Sequence, residues 1–199
     1  NNAALPWLKS VFELPEAFDE ALASGTRSTR IERDVDALVG VVNDISFDFS
    51  FEPRDTSTLW LLAAPRLLLT CRRQPLRSVD RLRGAVKNGQ SFRSSVDLLA
   101  HLMRDQADVL IEVVRQASVR VDDVEDELLA DRLQTRRVRL GKLRRMLVRL
   151  QRLLAPEPGA LFRLLQHPPA WIDELDVQEL RQASEEFSVA LRDISSLQE

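Results

Sequence analysis

The sequence predicts an α/β fold whose first third mixes helices with strands and whose remainder is helical, built around a long antiparallel helical hairpin. Three observations carry this. Apolar periodicity changes from two to about 3.6 residues at Pro75. Beyond that point two heptad-spaced apolar seams follow one another with no proline at their joint. Charge also alternates in blocks: residues 1–65, 66–93, 94–135, 136–155 and 156–199 carry −6, +7, −6, +8 and −6, as expected when successive segments pair.

Pro15 at a first turn, Phe18 and Leu22 on one face and Gly25 just past the end specify a short helix. Leu38 to Val42 is an apolar, β-branched run of the kind buried on both faces of a sheet. Ile45, Phe47, Phe49 and Phe51 then alternate with Ser46, Asp48 and Ser50, a strand pattern. Thr58 to Ala63 and Arg66 to Arg73 flank Ala64-Pro65 and read as a hairpin, with proline in the turn. Leu76, Val79, Leu82 and Val86 mark a helix stopped by Asn88-Gly89.

Ser94 or Ser95 can cap the next helix, whose seam is Val96, Ala100, Met103, Ala107, Leu110, Val114, Ala117, Val121, Val124 and Leu128. At 1.5 Å per residue this helix is ~50 Å long. The second seam is Leu133, Leu140, Leu143, Leu147, Leu150 and Leu154. The first arm is acidic (Asp105, Asp108, Glu112, Asp122, Asp123, Glu125, Asp126, Glu127) and the second basic (Arg136, Arg137, Arg139, Lys142, Arg144, Arg145, Arg149, Arg152), so opposite charge is expected to set partner and orientation while apolar seams hold the arms together. Pro156, Pro158, Gly159, Pro168 and Pro169 leave room for at most a short helix over Leu161 to Leu165. The last helix is expected to be capped by Asp176, with Glu179 three residues on and a seam of Leu180, Ala183, Phe187, Ala190, Ile194 and Leu197. The expected organisation is a mixed α/β sheet subdomain over 1–93, the hairpin over 94–155, a Pro-rich connection with a short helix over 156–175, and the last helix over 176–199.

Composition narrows the function. The 199 residues are 44% hydrophobic and 30% charged, enough for one ordinary core with an appendage. A net charge of −3 gives no chain-wide case for nucleic acid, and the basic stretches 66–93 and 136–152 lack interleaved aromatics, with no tyrosine in the chain, so internal pairing is the better account of them. One cysteine excludes an internal disulfide and fits a reducing compartment. The longest apolar stretch, Leu59 to Pro65, is far below the ~20 residues that span a bilayer, so the segment reads as soluble. It opens at Asn1 without methionine, and its last helical pattern is still in progress at Glu199, so both ends are expected to continue.

Enzyme chemistry is not expected. Six dispersed glycines build neither a dinucleotide fingerprint nor a P-loop, and His101 and His167 are the only imidazoles, with no HExxH and no serine elbow. Arginines near Cys71 favour a thiolate, but its alternation with Leu67 and Leu69 puts it on a core face, as a buried inert thiol. Cys71, His101 and His167 are not expected to share one zinc site. Asp122, Asp123, Glu125, Asp126 and Glu127 near the hairpin tip could collect hard cations weakly, although they lack the glycine turn of a calcium loop and read first as a solvated helix face.

Four segments in order carry a resemblance: Leu67-Leu68-Leu69-Thr70-Cys71-Arg72-Arg73-Gln74-Pro75-Leu76; Ala100-His101-Leu102-Met103 with Asp108; Arg144-Arg145-Met146-Leu147-Val148-Arg149-Leu150-Gln151-Arg152-Leu153-Leu154-Ala155-Pro156-Glu157-Pro158; and Glu185-Glu186-Phe187-Ser188 to Leu197-Gln198-Glu199. Together they resemble the cytoplasmic domain of CorA-type divalent cation transporters, nearer the ZntB zinc branch. The resemblance implies an α/β/α cytoplasmic domain and a last helix that begins a stalk into two transmembrane helices, placing the chain on the cytoplasmic face of a bacterial inner membrane. It also implies a homopentamer anchored by absent C-terminal helices, no nucleic-acid partner, no cofactor beyond the zinc, magnesium or related divalent cation transported or sensed, and a regulatory role for this part. In magnesium-type members an aspartate near the start of the stalk helps hold a regulatory metal between subunits. Glu185 falls at about that place, with Glu186 beside it. The alternative expectation is a soluble helical-hairpin scaffold or adaptor.

Overall fold

The computed structural model describes residues 4–52, 55–126 and 133–197, apart from the side chains of 124–126 and 133–137. The expectations that rest on the side chains of Val124, Glu125, Asp126, Leu133, Arg136 and Arg137, and on Glu127 and Leu128 altogether, lie outside the described residues.

Two short helices, α1 (Ala4–Val11) and α2 (Glu16–Ser24), precede four strands, β1 (Arg30–Asp34), β2 (Ala37–Ile45), β3 (Thr56–Ala64) and β4 (Leu67–Arg72). Five helices follow: α3 (Arg77–Lys87), α4 (Ser95–Asp126), α5 (Leu133–Leu154), α6 (Pro156–Gln166) and α7 (Glu174–Ser196). As its composition requires, α2 follows Pro15 and closes on Gly25, whose φ of 62° is left-handed. The strands form an antiparallel meander in the order β1-β2-β3-β4, and the expected hairpin is β3–β4, with Ala64 paired to Leu67 across Pro65-Arg66.

All nine residues of β2 are buried, because the central strand is covered on both faces. On one face α2 packs Phe18 and Ala21 against Val39, Val41, Trp60 and Leu62. On the other, Leu38, Val42, Leu59, Leu61 and Ala63 meet α3, the first half of α4, α6 and the start of α7. The result is three layers, helix over sheet over helices. A second helical cluster extends away from the sheet, where Ala107, Leu110, Val113 and Ala117 of α4 pack with Met146, Leu147, Leu150 and Leu154 of α5 and Phe187, Ala190 and Ile194 of α7.

Four expectations are modified. First, β2 ends at Ile45, and the Phe47–Phe51 alternation is a loop. The Phe47 N–H donates to the Pro75 carbonyl at 3.0 Å, and the buried Asp55 carboxylate accepts from the backbone N–H groups of Ser50 and Glu52 at 2.6 and 2.7 Å. A side-chain acceptor thus takes donors that a ladder would have used, while Phe49 and Phe51 still pack into the helical cluster. Second, α6 is a full helix, since Pro156 and Pro158 sit in its first turn, where a missing N–H costs nothing. Third, the cap of α7 is Asp173, whose carboxylate accepts the Asp176 N–H at 2.7 Å. Fourth, the principal partner of α4 is α7. The hairpin seams do meet where Val114, Ala117 and Leu143 share a cluster. The ion pairs described for α4, however, go elsewhere: Asp97 to Arg93 just before the helix, Glu112 to Arg81 of α3, Arg104 to Glu179 of α7, and Asp105 to His101 within the helix.

Candidate functional site

The last helix carries the expected metal-responsive carboxylates, and its packing decides what they can do. Its seam is spent inside the chain: Leu180 and Ala183 are buried against the sheet-side cluster, and Phe187, Ala190 and Ile194 against the helical one. The opposite stripe faces solvent. Glu185 and Asp193 are exposed, Val189 between them is 45% exposed, and Glu186 is half-buried and accepts a hydrogen bond from the Gln182 side-chain amide at 2.9 Å. Adjacent helical residues point about 100° apart, so Glu185 and Glu186 do not converge on one point within one chain. Among the described residues no group of three His, Cys, Asp or Glu side chains could hold a metal ion. A cation at Glu185 therefore finds no second and third ligand of these types among the described residues.

The remaining sequence candidates are scattered. Asp122 and Asp123 are exposed on α4, and the rest of that acidic run lies beyond the described side chains. Cys71 is half-buried on β4 against the α2-side cluster, and burial pushes its thiol up against the pull of Arg72, as an inert thiol requires. His101 stands edge-on to Phe92 with ring centroids 5.3 Å apart and lies 3.7 Å from the Asp105 carboxylate. His167 is the residue that ends α6.

Sequence reasoning missed a set of carboxylates where the sheet meets the helices. Asp44 at the end of β2 is 2% exposed, accepts hydrogen bonds from the Ser78 hydroxyl and from the Ile45 N–H at 2.7 Å, and is nonetheless pushed up to about 6 by burial. Glu157 in the first turn of α6 is 1% exposed, and among the described residues neither carboxylate oxygen has a hydrogen-bond partner. Burial and the negative charge of Asp44 hold it well above the ordinary carboxylate range. Asp105 is raised by burial and lowered by His101 and Arg81. Asp176, expected as a cap, is instead a buried acceptor: the Ser94 hydroxyl donates to it at 2.6 Å and Arg93 lies 3.6 Å away, tying the start of α4 to α7. The only sequence signal for Glu157 was an acidic residue among prolines at a helix start, which reads as a solvated first turn.

The molecule is thus a three-layer body continued by long helices, with carboxylates on the outer stripe of the last one. The family model described as CorA-like Mg2+ transporter protein matches residues 1–199, and the chain belongs to that family. The zinc transport protein ZntB of Yersinia enterocolitica is 23% identical over 190 residues, covering 96% of this chain and 58% of its own length. The divalent cation transporter CmaX of Pseudomonas aeruginosa is 25% identical over 201 aligned positions, 98% of this chain and 60% of its own. The solved structure of the full-length CmaX protein shares the fold with a TM-score of 0.84 at 21% identity, over 99% of this chain and 61% of that one. The chain thus spans less than two thirds of the curated relatives it matches. Among the described residues no helix is long and apolar enough to cross a membrane.

Proposed function

We propose that this chain is the cytoplasmic, assembly-forming and ion-sensing part of a pentameric divalent cation transporter of the bacterial inner membrane, and that it performs no catalysis. The family match over the full 199 residues supports transport, and relatives named for zinc transport favour zinc as the ion. The observation that carries the sensing role is the split of α7 into a buried seam and an exposed stripe of Glu185, Val189 and Asp193. With the seam consumed by α4 and α5, the stripe is the face left for neighbouring copies.

Five copies around one axis bring Glu185 into a ring, with Glu186 at its flank. Like charges so placed repel, and divalent cations bound between subunits relieve the repulsion, so cytosolic ion level sets the spacing of the last helices and, through them, the pore. The test is transport by the full-length protein, with and without raised cytosolic divalent ion, in the Glu185→Ala/Glu186→Ala double variant. Loss of ion feedback with assembly retained is expected; unchanged feedback would reject the ring and leave the family assignment in place.

A further inference from the structure

The sheet face that α2 covers continues past the end of that helix into a polar cavity of about 350 Å³, small among ligand-sized pockets. Its floor is Asn43 of β2 with Thr58 and Trp60 of β3, three residues brought to one face by the pairings Asn43–Thr58 and Val41–Trp60. Its rim is Arg27 from the loop before β1, Arg73 from the end of β4 and Arg149 from α5. No carboxylate lines it. Among the described residues none of the three arginines has an ion-pair partner, whereas Arg81, Arg93 and Arg104 all do.

Two features make this more than a solvated basic face. The guanidinium of Arg73 lies 5.7 Å from the centroid of the Trp60 ring and beside Gly25, where an added Cβ would come within 3.0 Å of it. Trp60 itself is 4% exposed, and among the described residues its indole N–H, a donor with no acceptor role, has no hydrogen-bond partner. The floor amide is already committed: the Asn43 side chain donates to the Arg27 carbonyl and to Thr29, both at 3.1 Å, and accepts from the Thr58 hydroxyl at 3.2 Å. What the cavity gathers is therefore three arginines beside the hydroxyl groups of Thr56, Ser57 and Thr58 and the Gln74 amide, with no carboxylate among the described lining residues, so a counter-charge bound there is attracted by all three.

We infer that this pocket binds a compact, multiply charged phosphate-bearing anion of pyrophosphate type. Planar guanidinium forks suit such an anion because each donates two parallel N–H bonds to adjacent oxygens. The bound anion ties α5 to the sheet and to the loop before β1; the Asn43 side chain already joins that loop to the sheet, whereas α5 meets the loop here through the weak Thr29 hydroxyl contact to the Leu153 carbonyl at 3.4 Å. Occupancy thus sets how firmly the basic arm is held to the body. This site is separate from the α7 stripe and does not depend on it.

The test is calorimetric titration of the purified full chain with inorganic pyrophosphate at physiological ionic strength, followed in parallel by thermal unfolding. Saturable binding with a rise in unfolding temperature is expected. In the Arg27→Gln/Arg73→Gln/Arg149→Gln variant affinity is expected to fall by about tenfold or more, the scale of losing charge-assisted hydrogen bonds. Arg83→Gln, at an exposed arginine away from the cavity, should leave binding unchanged. Should the triple variant unfold, Arg149→Gln alone, on an exposed helix face, carries the test. Parallel titration with ADP tells a nucleotide from free pyrophosphate as the source, and tighter binding of either supports the site. Absence of saturable binding, binding that survives all the arginine replacements, or the same thermal shift from sodium chloride at matched ionic strength would overturn it.

Discussion

Glu157 is buried at the start of α6 with both oxygens unpartnered and Asp44 as its electrostatic neighbour, so it remains protonated to a higher pH than an ordinary glutamate. Asp44 is raised from the ordinary 3.8 to about 6. A carboxyl whose folded value is raised binds its proton more tightly in the folded state. Its contribution to stability is complete below the unfolded value and is lost as pH rises through the folded one. For Asp44 that window runs from about 4 to about 6, and Glu157 extends it upward. Glu157→Gln, which mimics the protonated acid and cannot ionise, is therefore expected to stabilise the chain relative to wild type more at pH 8 than at pH 5. Urea unfolding at the two pH values measures this, and an equal difference at both would show that Glu157 is not the titrating group. None of this was legible in the sequence. Glu157 stands among prolines at a helix start, and only the packing of α6 under the sheet turns a solvent-type position into a core one.

Among the elements, the strands set the tightest constraints. Gly40 of β2 lies opposite Leu61 of β3, and a Cβ there would come within 2.6 Å of the Leu61 side chain. Gly40→Ala is thus expected to cost about 1–3 kcal/mol through forced repacking, measured by denaturant unfolding; a change within error would mean that Leu61 moves freely. The β1–β2 turn runs the other way. Val35 takes a φ of 43°, a conformation that β-branched residues resist, and its side chain is 80% exposed. Val35→Asn should release strain and stabilise by about 1 kcal/mol, since asparagine tolerates that region and the side chain contributes little packing. The β3–β4 hairpin and the short helix from Pro15 to Gly25 were readable because proline and glycine act locally. The Phe47–Phe51 loop was not, since its alternation is that of a strand and its fate is set by Asp55 and Pro75, residues several positions away.

On the scale of the whole molecule, α7 joins the two large clusters, with Leu180 and Ala183 in the sheet-side core and Phe187, Ala190 and Ile194 in the helical one. Sheet and long helices are therefore expected to unfold together. Phe187→Ala should cost about 3–5 kcal/mol and shift the helical signal in circular dichroism and the tryptophan fluorescence to the same lower midpoint. Separate midpoints would show that the helical cluster unfolds on its own. Because the apolar seam is consumed within one chain, charge reversal at Glu185 should alter ion response in the full-length protein without lowering the stability of the isolated chain.

Helix stops, turn prolines and seam periodicity are properties of neighbouring residues, so the kinds of element and most of their limits were legible without any packing. The family was legible too: four segments in order resemble it, and its model matches residues 1–199. Which helix covers which seam was settled by packing. The blocks of opposite charge implied that α4 pairs with α5, yet α4 lies chiefly on α7. Exposed charges contribute little free energy, and burial of apolar area chooses the partner. The same reason hid both the buried carboxylates and the arginine-rimmed cavity. Each draws residues from three or more elements distant in sequence, and a charged side chain declares its environment only when the elements around it have been placed.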